Sequence, residues 1–70
     1  MRLISFYFER VGDILDLIDS REFKELIQDK KINICFDVCK NELTVSFNEP
    51  FDRHTLNTVL YLVSFYAIFN

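Results

Sequence analysis

The sequence predicts an α+β fold of two layers, β-α-(α)-β-β-α, in which a three-stranded sheet carries helices on one face. Three observations predict it. Apolar and polar residues alternate from Ile32 to Cys39 and again from Leu43 to Asn48, apolar residues between Val11 and Ile27 recur at helical spacing, and a long apolar segment follows Pro50. Seventy residues with one glycine and one proline make a single small globular domain, 1–70, without linkers, repeats or low-complexity tracts. A chain of this length buries only about 60% of its unfolded surface, so its margin of stability is thin. Eleven aromatic residues and a charged fraction of 27% exclude a disordered chain.

Residues 2–9 read as a strand. Ile4, Phe6 and Phe8 alternate with Leu3, Ser5 and Tyr7, and both sets are rich in β-formers, which predicts cover on both faces. Gly12 punctuates. Val11, Ile14, Leu15 and Ile18 then form one helical stripe, while Phe23, Leu26 and Ile27 form a second, rotated from the first by roughly 130° at 100° per residue. Asp19 and Glu22 have capping-box spacing at the break. The expectation is two short helices, 12–18 and 20–29, or one sharply kinked helix.

A hairpin follows, 32–39 paired with 42–48. A two-residue turn at Lys40-Asn41 sets Val38 against Leu43, Phe36 against Val45 and Ile34 against Phe47, with every apolar residue on one face. Lys40 is poorly suited to the positive φ of a primed turn, which leaves a four-residue loop as the alternative. The polar set predicts that the other face of the sheet is open or lightly covered. Pro50 ends the strand, and Asp52 or Thr55 caps a final helix running to about Phe69. Its first apolar stripe is Leu56, Val59, Leu60, Val63 and Ala67; its second is Tyr61, Phe65 and Phe69, flanked by Leu62. High β-propensity over 58–69 makes a strand the competing reading there.

Catalytic and metal-binding chemistry is weakly encoded. His54 stands alone at a helix start, without a titratable partner in sequence. Cys35 and Cys39 form a C-x3-C; on one strand their Cα atoms lie roughly 13 Å apart, beyond disulfide reach. With His54 they make three potential metal ligands, but not the close pairs and fourth ligand of structural zinc. No Gly-rich phosphate loop exists in a chain with one glycine. The expectation is a non-enzymatic protein with no cofactor, no metal site and no catalytic residue.

Charge is segregated. Asp13, Asp16, Asp19, Glu22 and Glu25 recur every three residues, and 9–29 carry a net −4 against +1 for the remainder. The ordinary reading is the solvated face of amphipathic helices. The functional reading is a docking face for a protein partner with a basic surface. Direct nucleic-acid binding is disfavoured, because it rests on Lys and Arg neutralising phosphates. No secretory leader is legible in Met1–Arg10, and the longest apolar run, Val59–Phe69, is far short of the ~20 residues that span a bilayer. Unpaired thiols point to a reducing, cytoplasmic location. Phe, Tyr, Met, Ile, Asn and Lys supply 28 residues and Gly, Ala, Arg and Pro seven, a bias of AT-rich genomes such as those of many bacteria and their phages.

Two functional expectations follow. The first is a small acidic interaction protein that inhibits or regulates a larger one, of the phage or mobile-element anti-defence, antitoxin or immunity kind, docking through the five acids. The second is an assembly subunit whose last helix presents Tyr61, Leu62, Phe65 and Phe69 to another chain, most simply in a homo-oligomer.

Overall fold

In the computed structural model, which describes residues 2–67, the chain forms β1 (Arg2–Tyr7), α1 (Val11–Asp19), α2 (Arg21–Gln28), β2 (Ile32–Asp37), β3 (Glu42–Phe47) and α3 (Arg53–Tyr66). The three strands make one antiparallel sheet in the order β1-β3-β2. The α+β architecture follows from the sequence as expected. The segment from residue 58 is helical, which removes the strand alternative; α3 closes on Ala67, short of the expected Phe69, which lies outside the described residues.

Side chains alternate between the two faces of the sheet. Leu43, Val45 and Phe47 of β3 point inward with Ile32 of β2, all fully or almost fully buried against Ile14, Leu17, Phe23, Val59, Leu62 and Val63 of the helices. Ile4 and Phe6 of β1 and Ile34 and Phe36 of β2 extend this face but remain half-buried. The opposite face carries Leu3, Ser5 and Tyr7 on β1, Thr44 and Ser46 on β3, and Asn33 and Cys35 on β2, and none of the described elements covers it. β1 is therefore covered on one face, not both: Leu3 and Tyr7 are 62% and 66% exposed.

The hairpin keeps the expected faces but shifts by two residues. Ile32 pairs with Phe47, Ile34 with Val45, Phe36 with Leu43 and Asp37 with Glu42. Only an even shift preserves the inward set. The connection is the four-residue loop Val38–Asn41. Asp37 starts it as an Asx turn, its carboxylate accepting from the N–H groups of Cys39 (3.0 Å) and Lys40 (3.3 Å), and Asn41 takes the left-handed conformation at φ 51°. Val38 thus leaves the ladder and stands exposed.

Alternation also fixes which main-chain groups are unused. The Phe8 N–H donates to the Asn41 carbonyl at 2.9 Å, so the even residues of β1 aim their N–H and C=O groups at β3. Leu3, Ser5 and Tyr7 then turn theirs away from the sheet. On the other side, the Asn48 N–H donates to the Lys31 carbonyl at 3.0 Å, so the odd residues of β2 face β3.

The helical region is two helices. Ser20, not Asp19, makes the junction: its Oγ accepts from the Phe23 N–H (3.3 Å), capping α2, and donates to the Leu17 carbonyl (2.7 Å) at the end of α1. The buried line of α1 runs through Ile14 and Leu17 with Ile18 beside it, whereas Val11 and Leu15 of the expected stripe face outward. α2 ends in a Schellman arrangement, with Lys30 donating to the Ile27 carbonyl (3.0 Å) and Lys31 to that of Leu26 (2.9 Å). Lys30 occupies the left-handed position, φ 60°, where glycine is usual. A cis Glu49–Pro50 bond leads into α3, which Asp52 caps by accepting from the His54 N–H at 2.8 Å.

Candidate functional site

Among the described residues, aromatic rings meet one another in two regions. The first is the outer side of α3. Tyr61 and Phe65, one turn apart, are each 68% exposed and stack on one another with centroids 6.4 Å apart; Tyr66 meets Phe65 edge-on at 5.1 Å. Leu60 adds partly exposed aliphatic surface on the same helix. Leu62, grouped with these by sequence, lies inside at 4% exposure, because it continues the buried line Val59, Leu62, Val63, Tyr66 at i, i+3, i+4, i+7. Phe69 lies outside the described residues. Of the four residues expected at an interface, the structure therefore presents Tyr61 and Phe65 together.

The second region is the free edge of β1 and the start of α3. Arg2 lays its guanidinium 4.0 Å from the centre of the Phe51 ring, and Phe51 meets Phe47 edge-on at 5.8 Å. A hollow of about 440 Å3 opens beside them, lined by Arg2, Leu3, Ile4, Phe47, Phe51 and Leu56. Sequence spacing gave no sign of this cluster, since its members come from the first strand, the middle strand and the segment before the last helix.

The acidic series divides across two helices. Asp13, Asp16 and Asp19 are on α1, Glu22 and Glu25 on α2. Asp16, Asp19, Glu22 and Glu25 are exposed, as amphipathic helices require; Asp13 is half-buried, and its Oδ2 is enclosed without a hydrogen-bond partner. Asp19 pairs with Lys24 at 2.8 Å, and that hydrogen bond, with the charge behind it, holds its carboxyl below the ordinary value. A second hollow, about 350 Å3, is lined by Asp19, Arg21, Lys24, Glu25 and Gln28, so the acids are interleaved with bases there.

His54 is exposed in the first turn of α3, Cys35 on the uncovered sheet face and Cys39 in the hairpin loop; neither hollow is lined by any of the three. Among the described residues, no three His, Cys, Asp or Glu side chains cluster as metal ligands would, and no helix is long and apolar enough to cross a membrane. The chain matches no protein family, no curated protein and no solved structure.

Proposed function

We propose that this chain is a protein–protein interaction module that binds through the outward side of α3, without catalysis of its own. The observation that carries the reading is the Tyr61–Phe65 stack. Two large rings on one helix face, 68% exposed and packed on each other, are held ready as a rigid contact surface. Aromatic residues dominate the energetics of interfaces because they bury much area at little conformational cost. Exposed apolar clusters of this kind mark contact surfaces more often than they serve the free protein.

The four exposed acids of α1 and α2 supply the electrostatic side of the reading. A partner with a basic surface approaches faster along such a field, and the effect falls with salt. An inhibitor or regulator of a larger protein, of the anti-defence, antitoxin or immunity kind, fits this combination of small size, acidic helices and one aromatic face. The assembly-subunit alternative uses the same rings as a contact between copies.

Both versions are tested on one pair of variants. Phe65→Asp and Tyr61→Ala should each keep the native circular dichroism spectrum and lose the partner in affinity capture from the native host. Charge reversal at Asp16 and Glu22 should slow association at low salt and have little effect at high salt. Capture that is unchanged by Phe65→Asp rejects the α3 surface.

A further inference from the structure

The edge of β1 is self-complementary. Its outward N–H and C=O groups belong to Leu3, Ser5 and Tyr7, a set symmetric about Ser5. We infer that this edge pairs with the β1 edge of a second copy of the chain, antiparallel and about a two-fold axis at Ser5, joining two three-stranded sheets into one of six strands. In that register Ser5 faces Ser5 of the second copy, Leu3 faces its Tyr7, and Tyr7 its Leu3. Each of these three pairs exchanges two hydrogen bonds, so all outward main-chain groups of the strand are used.

The side chains fit the same register. On the uncovered sheet face, Leu3 and Tyr7 are the exposed apolar residues of β1, and the pairing sets each against the other on both sides of the two serines. On the helix-covered face, Ile4 comes level with Phe6 of the second copy. Both are half-buried at present because the sheet stops beside them, and Ile4 also lines the 440 Å3 hollow, whose mouth the incoming Phe6 would reach. Between Leu3 and Phe8 the strand contains no charge, no proline and no glycine. Such devices normally protect an exposed edge from pairing, and their lack fits an edge that is occupied. The one charge within β1, Arg2, lies at its start with its guanidinium over the Phe51 ring, whereas β2 closes on the charged Asp37. The inference is independent of the aromatic surface on α3.

The test combines sedimentation with directed cross-linking of the full chain. The wild type should sediment as a dimer at about 100 μM and dissociate near 1 μM, as a small interface does. In a Cys35→Ser, Cys39→Ser background, Ser5→Cys should form an intermolecular disulfide under mild oxidation, since directly paired residues lie about 5.5 Å apart at Cα, within bridging range. Leu3→Cys should not, because the two copies of that residue stand roughly 13 Å apart along the strands. Ser5→Pro should give a folded monomer, an edge strand tolerating proline where its N–H faces outward. Phe65→Asp should leave the dimer intact. A monomer at every concentration, cross-linking at Leu3→Cys in place of Ser5→Cys, a dimer joined through the native Cys35, or one dissolved by Phe65→Asp would each overturn the inference.

Discussion

The side-chain amide of Asn48 donates to the carbonyl of Lys30 at 2.8 Å, fastening the end of β3 to the left-handed residue that closes α2. The same side chain accepts from Asn33 Nδ2 at 3.0 Å, so one asparagine ties three segments together. Because these bonds reach the main chain of Lys30, its own side chain is dispensable to the junction. A lysine at φ 60° carries a Cβ penalty of roughly 1–2 kcal/mol that glycine avoids, partly offset by the greater freedom of glycine when unfolded. Lys30→Gly should stabilise the domain by about 0.5–1 kcal/mol, read as a rise of a few degrees in Tm. A fall in Tm would show that the lysine side chain contributes a contact of its own.

Ser20 serves two helices with one hydroxyl, and alanine can do neither job. Ser20→Ala should cost about 1–2 kcal/mol, near the upper end for a cap because the site is buried. Ser20→Thr, which keeps the hydroxyl, should cost less. Urea titrations of both variants decide the matter: equal losses would mean that packing, not the hydrogen bonds, sets the junction.

The two-residue offset of the hairpin separates Val38 from Leu43 by consequence. Val38 is exposed at 61% in the loop, so Val38→Asp should change stability by no more than about 0.5 kcal/mol. Leu43 is fully buried opposite Phe36, and Leu43→Ala should cost about 2–5 kcal/mol. The whole domain is expected to hold only ~4–10 kcal/mol. A large loss at Val38, measured by thermal or urea unfolding, would restore the tighter turn.

Acid should weaken the start of α3 through Asp52. The His54 N–H that it caps, first, and its hydrogen bonds to Thr55 hold its carboxyl below the ordinary value, against a smaller opposing effect of desolvation. A carboxyl depressed in the folded state adds stability above its unfolded pKa and loses it as pH falls through the folded one. The urea midpoint should therefore drop between about pH 5 and pH 2, and Asp52→Asn, which keeps an acceptor without a charge, should flatten that drop. An identical pH profile for the variant would remove Asp52 as a source.

Periodicity made the elements legible, and local hydrogen-bond chemistry decided their details. Alternation set the faces of β2 and β3, since a one-residue slip would bury Asn33 and Thr44, but it is blind to a slip of two. The signal that fixes the offset is chemical: Asp37 can start an Asx turn, and Asn41 is the loop residue best suited to φ 51°. Ser20 before Arg21 was likewise a readable cap, hidden by the matching spacing of Asp19 and Glu22. On α3 Tyr61 and Phe65 of the second aromatic stripe are outside, as their separation from Val59 and Val63 implied, while the i, i+3 step from Val59 already placed Leu62 within. The free β1 edge and the Arg2–Phe51–Phe47 cluster were not legible. They depend on strand order, which a single period does not encode.

The sheet order β1-β3-β2 also imposes a timetable. During synthesis β1 emerges before β2 and β3, yet its partner in the sheet is β3, whose pairing residues are 35 to 45 positions later; β2 in turn meets β3 across a short loop. α1, α2 and the hairpin can thus form from near neighbours, whereas the first strand must wait for Glu42–Phe47 to leave the ribosome and must then close a long loop. Through that interval Leu3, Ile4, Phe6, Tyr7 and Phe8 travel as an uncharged apolar stretch without a sheet to join. The segment of this nascent chain that depends most on chaperones is therefore β1, and the yield of folded protein should respond to translation rate.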